Sequence, residues 1–173
     1  MHKKAKIEIK DAQLAAYNAA AEGDLAKAKQ LYQEALKQQP QNGYIYGDLA
    51  RLAEQEKKPD EALKYYEQAV KYAPGEAIFH FSLGELYQQK KENEKAIAAY
   101  QKASDLEPKN FYLHYALMSV FKELKRDDLA RKEEEKLNAI VKESQPSQTP
   151  APSGGGSEEQ KPAQPAPSTG GKK

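Results

Sequence analysis

Residues 77–110 read AIFHFSLGELYQQKKENEKAIAAYQKASDLEPKN, and this 34-residue stretch is the clearest copy of a pattern that recurs along the chain. Alanine and proline return at the same interval on either side of it. The residues spaced 34 apart are Ala28, Ala62, Ala96 and Ala130, and likewise Pro40, Pro74 and Pro108. A fixed period of this length indicates a repeat architecture.

Each repeat predicts a pair of helices. With Ala28 at position 20 of the period, the units are residues 9–42, 43–76, 77–110 and 111–143. Within each unit, apolar residues recur at i, i+3, i+4 and i+7, a polar break follows, and a second periodic stretch runs to the proline. The pattern predicts an all-α fold in which antiparallel helix pairs stack into a superhelical solenoid.

Residues at the breaks agree with this division. Gly23 can end the first helix and Asp24 can cap the second. Prolines end the second helices, because proline cannot continue a helix. The N-caps predicted for later helices are Asn42, Asn93, Asn110 and Asp127.

The two ends of the chain differ from the repeats. Residues 144–173 contain six of the ten prolines and five of the ten glycines, and they lack Ile, Leu, Val, Met, Phe and Tyr. Because burial there cannot offset the entropy of ordering, we predict a disordered Pro/Ser/Gly-rich C-terminal tail. Residues 1–8 form a basic N-terminal segment without the apolar stretch of a secretory signal.

Composition excludes several classes of function. The 27 basic and 26 acidic residues leave a net charge of +1, so we expect no nucleic-acid partner. Cysteine is absent, which removes disulfides and thiolate zinc sites, and no stretch is apolar for long enough to predict a membrane span. We expect a cytoplasmic protein, with an exported or periplasmic location as the alternative if a leader is missing.

The repeat resembles the tetratricopeptide repeat (TPR). In the third unit, the characteristic positions 4, 7, 8, 11, 20, 24, 27 and 32 of that family hold His80, Leu83, Gly84, Tyr87, Ala96, Tyr100, Ala103 and Pro108. The second unit matches at Tyr46, Leu49, Ala50, Ala62, Tyr66, Ala69 and Pro74. The resemblance covers residues 9–143 and implies a TPR-like solenoid.

The fourth unit departs from the family pattern at Met118, Glu134 and Lys142. A terminal helix needs a polar outer face, so we predict that the second helix of this unit, 127–142, is a cap. The stripe predicted to pack inward is Ala130, Leu137, Ile140 and Val141. The run Glu133, Glu134 and Glu135 is predicted to face solvent.

The resemblance implies a noncatalytic protein–protein interaction module, an adaptor or scaffold. In the family, first helices line a concave groove, and here that groove would bind an extended peptide segment of a partner. The candidate partner-binding residues at the groove positions are Tyr17, Tyr44, Arg51, Phe81, Glu85, Tyr112 and Tyr115. Their aromatic rings suit an extended apolar or Pro-containing segment, although several could instead pack between units.

One TPR subgroup grips acidic chaperone tails with a carboxylate clamp of Lys, Asn, Asn, Lys and Arg. The matching positions here hold Gln13, Tyr17, Asp48, Ile78 and Ser82. None of them matches, and the charge of Asp48 would repel a carboxylate. The resemblance therefore does not extend to that subgroup.

No pattern predicts catalysis. His80 and His114 lie one period apart, but position 4 normally packs and no third ligand accompanies them, so structural roles are favoured over a metal site. We predict no catalytic residues and no cofactor. The alternatives left open are a self-associating assembly protein, an accessory subunit of a larger enzyme or secretion complex, and docking of the Pro-rich tail into its own groove.

Overall fold

The computed structural model describes residues 9–144, and within them the chain forms eight helices and no strand. Their bounds are α1 (Ile9–Ala21), α2 (Leu25–Gln38), α3 (Gly43–Gln55), α4 (Pro59–Tyr72), α5 (Ala77–Gln89), α6 (Asn93–Leu106), α7 (Phe111–Glu123) and α8 (Asp127–Ser144). The all-α prediction is confirmed. The predicted basic segment 1–8 and residues 145–173 of the predicted tail lie outside the described residues.

The helices pack in chain order. The most extensive contacts join α1 to α2, α3 to α4, α5 to α6 and α7 to α8, which are the two helices of each unit. Each second helix then contacts the first helix of the following unit. Packing that passes mainly from neighbour to neighbour along the chain is typical of an α-solenoid.

Small and aromatic residues of the repeat form the core between the helices. The alanines at positions 20 and 27, such as Ala96 and Ala103, are completely buried, so the two helices of a unit approach closely. The tyrosines at position 24 fill the space that remains, and Tyr100 has the largest fully buried side chain in the described chain.

A hydrogen bond at position 4 links each unit to the one before it. There the side chain bonds to the carbonyl oxygen of the proline that ends the preceding unit. These bonds join Tyr46 to Pro40 at 3.1 Å, His80 to Pro74 at 2.9 Å and His114 to Pro108 at 2.9 Å. Both histidines therefore have a structural role.

The predicted caps are confirmed at Asp24, Asn42 and Asn110, whose side chains accept hydrogen bonds from backbone N–H groups of the first turn. The predictions for Asn93 and Asp127 are wrong, since each is the first residue inside its helix. The repeat explains the shift of one residue. Asp24 corresponds to Glu92 and Arg126, not to the residues that follow them.

The break between the helices of each unit places position 15 in the left-handed region. Gly23 has φ 86°, while Lys57 and Lys91 have φ 59° and Lys125 has φ 55°. A side chain in this region costs about 1–2 kcal/mol, and glycine avoids that cost while losing about 0.5–1 kcal/mol more conformational entropy on folding.

We therefore expect Lys91→Gly to raise the free energy of unfolding by about 0.5–1 kcal/mol in urea denaturation. Lys102→Gly, in the interior of α6, is the matched control and should lower it by about 1 kcal/mol. A loss of stability in both variants would show that the left-handed lysine is not strained.

The terminal helix α8 differs in part from its prediction. Ala130 and Leu137 are buried as expected, but Val141 is 43% exposed. Glu133 is buried and is not part of a solvated face, which corrects the prediction for the acidic run. Its Oε2 lies 2.7 Å from Nδ1 of His114, and its Oε1 accepts a hydrogen bond of 2.8 Å from Lys136.

Candidate functional site

The first helices of neighbouring units share depressions on one face of the solenoid. One depression, of 210 Å³, lies between α1 and α3, with one wall completed by α2. A second, of 310 Å³, lies between α5 and α7. We call the face that contains them the concave face, and most of the candidate residues lie on or beside it.

The depression between α1 and α3 is the more polar of the two. It contains Tyr17, which is 60% exposed, and Arg51, which forms an ion pair with Asp48. Tyr32 also lines this depression, and burial and then the charge of Asp48 raise its pKa to about 12. Tyr32 is neutral at physiological pH.

Tyr44 of α3 reaches the following unit. Its hydroxyl donates a 2.6 Å hydrogen bond to Glu76, and its ring meets Phe79 edge to face at 6.1 Å. The bond to Glu76 raises the pKa of Tyr44. About half of the Tyr44 side chain is exposed, so this residue both packs between units and offers a surface.

Phe81 of α5 also has two roles. Its ring is half-buried and lies 5.6 Å from the ring of Tyr100, so the packing alternative applies to it in part. Its remaining surface lines the depression between α5 and α7 together with Ile78 and Tyr112. Ile78 is 58% exposed and Tyr112 is 74% exposed, so this depression is apolar and open.

An aromatic group continues along α7. The rings of Phe111 and Tyr115 stack at 6.3 Å, and the ring of Phe111 meets that of Tyr112 edge to face at 6.1 Å. Tyr115 is 54% exposed. The prediction missed Phe111, although position 1 holds small residues in the two preceding units, Gly43 and Ala77, and a ring there is the exception.

Two carboxylates lie between the two depressions. Glu54 of α3 accepts a 2.8 Å hydrogen bond from the hydroxyl of Tyr66. Partial desolvation and then the charge of Glu54 raise the pKa of Glu85, on α5, although Glu85 is exposed. Within residues 12–144, neither carboxylate forms an ion pair.

The structure therefore brings the candidate residues together in two groups. Tyr17 and Arg51 share the polar depression, and Phe81 and Tyr112 share the apolar one. The others lie beside them: Tyr44 borders a shallow surface with Pro40 and Tyr72, Glu85 lies next to Glu54, and Tyr115 stacks on Phe111.

The described residues contain neither a helix apolar and long enough to cross a membrane nor a group of three side chains able to hold a metal ion. The histidines at position 4 contact backbone carbonyls, and His114 also contacts Glu133.

Comparisons with known proteins agree with this architecture. Two family models described as tetratricopeptide repeat match residues 19–61 and 48–111. No curated protein sequence matches the chain. Solved structures of MamA have a similar fold.

A structure described as "Crystal structure of MamA" is 16% identical, covers 82% of each chain and has a TM-score of 0.74. A MamA RS-1 double mutant is 24% identical with a TM-score of 0.71, over 80% of this chain and 78% of that one. MamA 41-end from Desulfovibrio magneticus RS-1 is 25% identical with a TM-score of 0.63, over 79% and 76%. The chain therefore belongs to the tetratricopeptide repeat family, whose members are generally noncatalytic scaffolds for protein–protein interaction.

Proposed function

We propose that the concave face binds an extended segment of a partner protein. The observation that carries this proposal is the exposure of large aromatic side chains on the first helices. Tyr17, Tyr44, Tyr112 and Tyr115 are each more than half exposed, whereas the tyrosines at position 24 are buried. Exposed large aromatic surface of this kind indicates an interaction site, because exposing it to water is unfavourable.

A rigid surface suits the capture of a flexible segment. The aromatic side chains have few rotatable bonds, and Tyr44 and Phe81 are already held by contacts with the next helix. Less entropy is therefore lost on the solenoid side when a segment binds. Four first helices spaced about 8–10 Å apart span about 30 Å, which an extended chain of about nine residues covers.

The outer faces of the solenoid give less support to stacking of copies end to end. Where α3 buries Leu49 and Leu52 against the preceding unit, α1 has Ala15 and Asn18, which are exposed. At the other end, α8 has the exposed Glu134 at the position of the buried tyrosines. Light scattering over a range of concentrations would detect self-association, and a stable monomer favours segment capture.

The groove aromatics provide the test of this proposal. A displayed library of random peptides, each about ten residues long to span the first helices, would be selected on the full chain. For a selected peptide, we expect Tyr112→Ala to weaken binding about tenfold in fluorescence anisotropy, as for a central interface aromatic. Leu129→Ala, on the partly exposed surface of α8, should leave the affinity unchanged.

Equal affinity of the chain and of the Tyr112→Ala, Phe81→Ala and Tyr115→Ala variants would contradict the proposed groove. A peptide corresponding to residues 145–173 should be included as a competitor. Displacement of the selected peptide by this competitor would support docking of the tail as a second, intramolecular use of the same surface.

A further inference from the structure

The apolar depression between α5 and α7 lies beside an acidic part of the concave face. Ile78, Phe81 and Tyr112 line the depression, and Glu85 follows Phe81 by one helical turn on α5. Glu54 contributes the second carboxylate from α3. An apolar surface and a negative surface therefore adjoin across α5.

Neither Glu54 nor Glu85 forms an ion pair within residues 12–144, while Lys57 and Lys58 line a shallow depression together with Glu54. Some other carboxylates have cationic partners: Glu61 is paired with Lys29, and Glu94 with Arg126. The guanidinium of Arg51 is engaged by Asp48. An incoming cation would thus gain attraction from Glu54 and Glu85 without displacing an existing ion pair.

The same arrangement is unfavourable for the free protein. Because the folded state raises the pKa of Glu85 above its ordinary value of 4.5, the folded chain binds more protons than the unfolded chain just above that pH. The ionisation of Glu85 therefore destabilises the folded chain increasingly as the pH rises from 4.5 through the raised pKa. The destabilisation is complete at neutral pH. A carboxylate with a raised pKa beside an apolar depression is a candidate contact for a cationic ligand.

We infer that the bound segment carries an apolar or aromatic side chain that fills the α5–α7 depression and a lysine or arginine that contacts Glu85 and Glu54. The two side chains are separated by about three residues, since one helix spacing of about 8–10 Å corresponds to about three residues of extended chain. The inference rests on the proposed function and specifies the chemistry of its partner. The expected partner segment is basic, whereas the carboxylate-clamp subgroup binds acidic tails.

The occupant is a segment of another protein. The apolar depression calls for a large apolar side chain, and residues 145–173 contain no Ile, Leu, Val, Met, Phe or Tyr. The tail can supply lysine and proline, but it lacks the large apolar anchor. A partner with both features would make the two contacts at once.

The peptide selection described above tests this inference with the full chain. Selected sequences should be enriched in pairs of an apolar and a basic residue about three positions apart. Replacing the basic residue of such a peptide with glutamate should weaken binding to the full chain about tenfold or more, which corresponds to about 1.4 kcal/mol per tenfold change.

Charge reversal in the protein is the decisive measurement. Glu85→Lys should weaken binding of the basic peptide and restore binding of its glutamate variant. Asp105→Lys makes the same change of charge at an exposed site on α6 and should have neither effect. Glu85→Gln should weaken binding of the basic peptide and slightly raise the Tm of the protein at neutral pH. That opposite pair of effects distinguishes loss of a ligand contact from loss of the fold.

Each outcome separates this inference from the proposed function. Selection of acidic peptides, or a Glu85→Lys variant that behaves like Asp105→Lys, would overturn the inference and leave groove binding intact. Failure to select any peptide that depends on Tyr112 would overturn both. If the 145–173 peptide displaces the bound peptide as strongly as an unlabelled selected peptide does, the depression belongs to the tail and the inference of an external partner is rejected.

Discussion

Glu133→Ala should lower the free energy of unfolding by about 3 kcal/mol, because it leaves a buried partner without its counterpart. The Glu133 side chain is 9% exposed and that of His114 is 5% exposed. Both ring nitrogens of His114 face oxygen acceptors, the carboxylate of Glu133 and the carbonyl of Pro108. Removal of the carboxylate leaves Nδ1 of the buried His114 without its partner and opens space between α7 and α8.

Two variants control for charge and for packing. Glu134→Ala changes the exposed neighbour in the sequence and should alter stability by less than about 0.5 kcal/mol. The double variant His114→Leu/Glu133→Leu replaces the pair with apolar side chains and should recover part of the loss, since it also removes the bond between His114 and Pro108. In urea denaturation followed by circular dichroism, equal effects of Glu133→Ala and Glu134→Ala would contradict a stabilising pair.

This pair also shows where the sequence is insufficient. A run of three glutamates beside lysine and arginine indicates a solvated helix face, and composition alone cannot select one member for burial. The repeat does contain the signal, since position 23 holds Leu31, Tyr65 and Ala99 in the other units. A glutamate at that position needs a polar partner, and His114 supplies it from the adjacent helix.

The periodic part of the fold could be predicted because helix spacing depends on a few side-chain volumes. Wherever two helices approach closely, the residue between them must be small, so the alanines at positions 20 and 27 indicate the contacts directly. The site is less predictable. The exposed part of Phe81 depends on how Tyr100 of α6 packs against it, and that contact spans two helices.

The polarity of the concave face could be predicted only in part. Single residues such as Arg51 and Glu85 can be placed on the concave face by their position in the repeat. Whether a charge is satisfied depends on its neighbours, and Arg51 is already paired while Glu85 lies near a second carboxylate. Two charges that look equivalent in the sequence therefore differ in their capacity to bind a partner.

Gly84→Ala should lower the free energy of unfolding by about 2 kcal/mol, although the same change in an ordinary helix is stabilising. A Cβ atom on Gly84 would lie 2.5 Å from two ring carbons of Tyr100. The ring has little freedom to move, because Tyr100 is fully buried and its hydroxyl donates a 3.0 Å hydrogen bond to Gln88. Gly75→Ala, where a Cβ would meet nothing within 4 Å, should be neutral or stabilise by up to about 1 kcal/mol.

The sign of the stability change caused by Gly84→Ala should depend on the ring of Tyr100. In a Tyr100→Leu background, Gly84→Ala should no longer destabilise, and the difference between the two backgrounds measures the coupling of positions 8 and 24. The fourth unit is consistent with that coupling: Met118 occupies position 8, and position 24 of this unit holds the exposed Glu134, not a buried tyrosine. The small residue of the repeat is thus required by the aromatic opposite it, and equal stability of Gly84→Ala and Gly75→Ala would show that the helices can separate to admit both.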